Sequence, residues 1–320
     1  MTKKAFASSA DLGEKVETLE VLAEGVYALT AEGDPNVGAI EGEDFIVAFE
    51  ARATPKAAGD WLEKLREHTD KPIKYLVLSH YHAVRVLGAS AFKADAIIAH
   101  ENTRLLIDER GEQDWASEFG RMPRLFREPE GIPGLTHPDI VFNDRLEIPL
   151  GGDRGNLVLQ YCGRGHTAGD ICAWIPKHKI LFAGDLVEAA AALYTGDAFH
   201  FDWSTDTLDA VKKFEAEVLI GGRGATAHGR KAVDAAIEQT RGFLQGMIEK
   251  VGEVHRAGGT LKEAFEATHA HLNPKFGMWP IFEHCLPFDV QRLWDEMDGI
   301  DWPRIWTAER DQEVWDKLQD

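Results

Sequence analysis

The chain has 320 residues and a hydrophobic share of 44%, enough to bury a full core as one large domain or a domain with an appendage. Fifty-four acidic residues against thirty-five basic ones leave a formal charge of -19, which repels phosphate backbones and anionic lipid surfaces and argues against nucleic acid as a partner. No stretch reaches the roughly eighteen apolar residues that span a bilayer, and the N-terminal MTKKAFASSADLGEKVETLE lacks the apolar run of a signal peptide, so the expectation is a cytoplasmic protein with no membrane partner.

From Val16 to Glu50, short apolar runs broken by GDPN and EGED predict antiparallel strands. Thr54, then Pro55 and an amphipathic stretch to His68, predict a capped helix. The run IKYLVLSH, Ile73 to His80, is too continuously apolar for a half-exposed strand and reads as a buried one. A helix, a short strand at Ala96 to Ala99 and a helix from near Glu101 follow, the alternation of a layered α/β fold. Residues 111–134 have poor periodicity yet carry Trp115, Phe119, Phe126 and several arginines, so an irregular lid or insertion is expected there. Strands are predicted at Ile140 to Phe142, Arg145 to Pro149, Leu157 to Cys162, Ile171 to Ile175 and Ile180 to Phe182. A helix from about Thr205, a strand at Val218 to Gly221 and a long helix from Lys231 to Ala257 complete a sheet sandwich flanked by helices over residues 1–257. Residues 258–320 alternate helical segments with aromatic ones such as KFGMWPIFEHCLPF, whose rings must bury against the domain, a pocket wall or a second subunit. Cys162, Cys172 and Cys285 form no CxxC and read as reduced core residues.

The chemistry gathers at strand ends. His80 and His82 close a buried strand in LSHYHAVRVLG, and alternate residues of an extended segment face the same way, so both rings can meet one ion. GRGHTAGD puts His166 in a Gly-rich loop between two predicted strands, and LFAGDLVE puts Asp185 directly after another. A single strand-end histidine is more often satisfied by ordinary hydrogen bonds than by a metal; four ligand types at three strand ends outweigh that reading.

With these motifs the chain resembles the metallo-β-lactamase superfamily over about residues 20–250. The resemblance implies a four-layer αββα sandwich, here with a helical C-terminal extension, and a metal site built from His80, His82, His166 and Asp185. The departures matter as much. Where the family's H-x-H-x-D-H supplies an aspartate and a histidine to a second metal, this chain has Val84 and Arg85, and the Gly-flanked position of the family's last histidine is Arg223, with His228 a less favoured substitute. Neither valine nor arginine can ligate a cation. The expectation is therefore one divalent ion, zinc first and iron second, with an open position for water or substrate.

Three functions follow as expectations. The first is a mononuclear metal-dependent hydrolase of a small ester, thioester or lactone, with Asp185 holding the metal and orienting the catalytic water. The second is an iron-dependent oxygenase similar to the family's persulfide dioxygenases, with His80, His166 and Asp185 as ligands. The third is a non-catalytic, metal-free binding protein in which Arg85 and Arg223 neutralise Asp185. Under the first two, Arg85 and Arg223 are candidates to grip an anionic group of a small-molecule substrate. Glu50 and Asp170 are candidates to hydrogen-bond the ligand histidines from behind, and Tyr81, His200, Trp203 and His228 are candidate pocket residues. The extension could complete the pocket or form a homodimer.

Overall fold

Short, largely apolar strands separated by turn residues assemble into two sheets in a computed structural model that describes residues 4–319. The first sheet places β1 (Thr18–Ala23), β2 (Val26–Ala31), β3 (Asp34–Glu41), β4 (Ile46–Phe49), β5 (Ile73–Val77), β6 (Ala96–His100) and β7 (Ile140–Phe142) side by side in chain order. Pairing is antiparallel from β1 to β4 and parallel from β4 to β7. Parallel neighbours need crossover connections, and these are α1 (Pro55–Arg66), α2 (Ala83–Val86) and α3 (Glu101–Arg121). The second sheet runs β13 (Ala227–His228), β12 (Val218–Gly221), β11 (Ile180–Gly184), β10 (Ile171–Ile175), β9 (Asn156–Tyr161) and β8 (Arg145–Pro149). Only its β11–β12 pair is parallel, bridged by α4 (His200–Asp202), a π-helical turn at Trp203–Thr207 and α5 (Leu208–Lys212). Helices α6 (Arg230–Arg256), α7 (Leu261–Phe276), α8 (Phe282–Met297) and α9 (Ala308–Gln319) follow. The result is the expected αββα sandwich with a helical C-terminal part.

Three apolar layers hold the sandwich. Val26, Ala28, Val47, Phe49 and Val77 of the first sheet meet Leu157, Leu159, Ile171, Phe182 and Ile220 of the second. Gly38 is required where they meet, because a Cβ there would overlap the Phe182 ring. Leu76 and Ala48 cover the outer face with Trp61 and Leu65 of α1, whose start is fixed by Thr54 Oγ1 accepting from the Ala57 amide at 3.1 Å. The third layer joins Leu181 and Leu219 to Phe243 and Leu244 of α6 and to Phe276, Phe282, Phe288, Trp306 and Trp315 of the extension. Those aromatic rings therefore bury within the chain. Arg292 of α8 staples the extension down, donating to the carbonyls of Ala198, Ile300 and Asp301.

Two sequence expectations need correction. The stretch expected to be irregular from residue 111 is helical as far as Arg121, the C-terminal half of α3. Its inward face carries Arg110, Asp114, Ser117, Glu118 and Arg121, all buried, so helical spacing is present but polar, and an apolar period could not reveal it. The helix expected from about Thr205 begins instead at His200 and widens into the π-helical turn before α5. The three cysteines are free and buried. Among the described residues, no helix is long and apolar enough to cross a membrane.

Candidate metal centre

Chain ends of β4, β5, β9, β11 and β12 deliver the polar residues to one edge of the sandwich. After β5, the Ser79 amide donates to Glu50 Oε1 at 3.2 Å, fixing the backbone that presents His80. His82 stands at the N-terminus of α2, where the buried amides of Ala83 and Val84, which have no partner within the helix, donate to Asp114 Oδ2 at 2.7 Å and Glu118 Oε2 at 2.8 Å. Gly184, just before Asp185, has a φ of 54°, and a Cβ on it would press on the Ser79 side chain.

The histidines converge. Ligand atoms of His80, His82 and His166 all lie within 4.8 Å of one another, and the rings are buried. Outer partners aim the rings of His80 and His82 inward. His80 Nδ1 pairs with Ser79 Oγ at 2.8 Å, and its Nε2 is buried without a hydrogen-bond partner. His82 Nε2 donates to Asp197 Oδ2 at 3.3 Å, and its Nδ1 meets His166 Nε2 at 3.0 Å. Asp197 is itself held by Arg110 Nη1 at 3.1 Å. Asp185 Oδ2 completes the group, 3.7 Å from His80 Nε2 and 3.5 Å from His166 Nε2.

Protonation follows from these partners. Burial pushes His80 well below its ordinary value and His166 down to about 3, so both rings are neutral. Burial also opposes charge on His82, but Asp114, the Asp197 hydrogen bond and Glu118 overcome it and lift the ring to about 9. The proton that His82 Nδ1 then shares with His166 Nε2 sits where the nitrogens converge. An ion of tetrahedral geometry would separate its ligands by about 3.4 Å given metal–nitrogen bonds near 2.0–2.1 Å. The triad thus fits a divalent cation exchanging for that proton, with imidazole donors suited to zinc or iron.

Arginines fill the adjoining space. Burial would raise Asp185, yet Arg85, His80 and Arg223 hold it well below the usual carboxylate range. Arg85 Nη2 pairs with Asp185 Oδ1 and with the Gly222 carbonyl at 2.9 Å, and its Nη1 donates to the Asn36 carbonyl at 3.2 Å. Arg223 Nη1 reaches Asp185 Oδ2 at 3.0 Å and Glu188 Oε1 at 3.2 Å. Burial and the neighbouring Asp185 raise Glu188 to about 8. Val84 packs into the apolar layer beneath α2.

The remaining candidates divide. Glu50, lifted to about 7 by burial, contacts the amide before His80 and no histidine ring. Asp170 caps its own loop by accepting from the Thr167 amide. Trp203 lies edge-on to His166 at 5.8 Å, and Tyr81 is tilted against its neighbour His82 at 4.5 Å. His200 bonds Glu296 and Thr195, and His228 lies on the surface against Glu20, so neither belongs to the centre. Ser79, Asp197, Asp114 and Glu118 escaped the sequence reading, since no spacing ties them to the histidines.

A small cavity of about 10 Å³ adjoins the triad, lined by His82, His166, Asp185 and Arg223, by Arg121 and Met122 at the end of α3, by Tyr194, and by Ile281, His284 and Cys285 at the start of α8. It has room for about one water. A surface groove of about 640 Å³ touches this region through Val84.

A sequence profile described as the metallo-beta-lactamase superfamily matches residues 33–223. A metallo-beta-lactamase type 2 of a Bacillus strain is 27% identical over 175 residues, 53% of this chain and 58% of its own length. The chain thus spans under two thirds of that relative. A metallo-beta-lactamase from Pontibacter korlensis superposes with a TM-score of 0.56 at 18% identity, covering 72% of this chain and 99% of its own. The mono-zinc form of the metallo-beta-lactamase FIM-1 from Pseudomonas aeruginosa gives 0.55 at 19% identity, covering 73% and 99%.

Proposed function

The chain belongs to the metallo-beta-lactamase superfamily, and from that premise we propose that it is a mononuclear metal-dependent hydrolase of a small ester, thioester or lactone. The observation that carries the reading is the pairing of an intact triad, His80, His82 and His166, with guanidiniums in the place of a second cation. A divalent ion in the triad would supply Lewis acidity and an acidified water. The chain's own residues do the rest.

Asp197 fixes the tautomer of His82 and Ser79 Oγ holds the His80 ring in place, so each presents the nitrogen that faces the centre. Asp185 stays ionised at any physiological pH and adds a fourth, anionic donor, while its other oxygen is held by Arg85. So low a pKa suits a ligand that orients water rather than a group that takes its proton. Arg85, fully buried and bonded to two carbonyls and a carboxylate, acts as a fixed counter-charge. Ile281, His284 and Cys285, at the start of α8, line the cavity beside the centre.

Protein purified without added metal is expected to carry about one ion per chain, zinc rather than iron, and to hydrolyse members of a panel of activated esters, thioesters and lactones. His80→Ala should lose both properties. Two ions per chain, or hydrolysis that survives His80→Ala, would defeat the proposal. A second reading, an iron oxygenase, is supported by Asp185 Oδ2 standing 3.7 Å and 3.5 Å from His80 and His166, a two-histidine, one-carboxylate grouping. Iron in the purified protein with oxygen uptake on a persulfide would select it.

A further inference from the structure

We propose that the anionic group of the substrate is held by Arg121, at the end of α3, together with the Tyr194 hydroxyl, and not by Arg85 or Arg223. The proposal deepens the hydrolase reading and rests on it for the word substrate, though the anion site itself can be tested without turnover.

Arg85 does not reach the cavity, and Arg223 lines it with Nη1 fixed between Asp185 and Glu188 and Nε without a partner. Arg121 differs. Its side chain is 98% buried, yet Nε and Nη1 donate no hydrogen bond. The carboxylate oxygen paired with it, Asp311 Oδ2, lies 3.7 Å from Nε and already accepts from Ser117 Oγ. A buried guanidinium with free donors is costly unless something accepts from it. The Tyr194 hydroxyl is likewise buried, with no hydrogen bond of good geometry, and it faces Arg121.

Packing holds these donors beside the triad. The Arg121 guanidinium lies 4.5 Å from the Tyr194 ring centroid and 5.1 Å from that of Phe288, which fix its plane. The Tyr194 ring in turn stands 5.6 Å from His82 and 6.3 Å from His166. Arg121 and Tyr194 line the same small cavity as the triad residues His82 and His166. A forked donor beside a hydroxyl suits a carboxylate or a sulfate, the planar or oxyanionic groups that arginine binds best. The oxygen of that group takes the place of the single water the cavity can hold.

The test is titration of the metal-loaded protein with sodium acetate and sodium sulfate, sodium chloride serving as control, read as melting temperature. Both oxyanions should stabilise the wild type saturably. Tyr194→Phe, which removes only the hydroxyl, should weaken them about tenfold, the cost of one charged hydrogen bond. Arg121→Lys should weaken them at least as much, its folding checked by circular dichroism, and Tyr194→Phe keeps the test decisive should the lysine variant not fold. If the enzyme cleaves p-nitrophenyl esters, Tyr194→Phe should raise KM for the hemisuccinate but not for the acetate. No stabilisation of the wild type by either oxyanion overturns the proposal. So does an affinity unchanged in Tyr194→Phe, or one that vanishes on chelation and ignores both substitutions, which would place the anion on the metal.

Discussion

Gly222→Ala offers a direct reading of how much the arginine substitution matters. A Cβ at this position would fall inside the van der Waals radius of Asp185 Oδ1 and 2.8 Å from Arg85 Nη2. Asp185 cannot swing aside cheaply, because guanidiniums hold both of its oxygens. The methyl group therefore breaks a buried charge pair, at a cost of about 3–5 kcal/mol. With an unfolding entropy of about 2.1 cal/mol/K per residue, a chain of this length should lose roughly 4–7 °C in melting temperature. Gly59→Ala is the control. Gly59 lies within α1 with nothing within 4 Å of its would-be Cβ, so alanine should stabilise by about 0.5–1 kcal/mol. Melting followed by circular dichroism measures both. A Gly222→Ala protein melting within a degree of wild type would refute the claim that the Arg85–Asp185 pair is a fixed element of the centre.

Other expectations concern the ligands, the cap and the surface. Asp197→Asn should lower metal affinity about 10–100-fold through the lost orientation of His82, measured by competition with a chromophoric chelator. Thr54→Ala should cost about 1 kcal/mol in urea unfolding by uncapping α1. Deleting residues 258–319 strips Phe276, Phe282, Phe288 and Trp315 from the core they share with α6, so the truncated chain should be insoluble or bind hydrophobic dye. Burial would raise Glu17, but Arg52 and Lys64 overcome it and lower its pKa. The stabilisation is then present above the ordinary glutamate range and is lost as pH falls through the folded-state value. Glu17→Gln should accordingly be less stable than wild type at pH 7, with the gap closing as pH falls below the ordinary glutamate range, and a gap independent of pH would contradict the assignment.

Most strands were legible because they are continuously apolar, as in β5 and β11, and the motif residues His80, His82, His166 and Asp185 were legible because strand geometry fixes their side. The structure gathers those four, a convergence the sequence could only imply. What stayed hidden is polar burial. Arg110, Asp114, Glu118 and Arg121 form the inner face of α3, yet a charged residue normally marks the outside of a helix, so the pattern pointed the wrong way. Asp197 and Tyr194 lie in a loop whose path depends on packing against α8, and no local spacing relates them to His82. His228 illustrates the converse, a histidine near the right place in sequence that the short strand β13 turns outward toward Glu20.

The two guanidiniums that clasp Asp185 are covalent parts of the polypeptide, so this edge of the sandwich does not wait for an ion to be electrically balanced. A newly synthesised chain can close its sheets first and be loaded afterwards. On the proposed hydrolase reading, scarcity of the ion would then leave intact but idle molecules rather than unfolded ones destined for proteolysis.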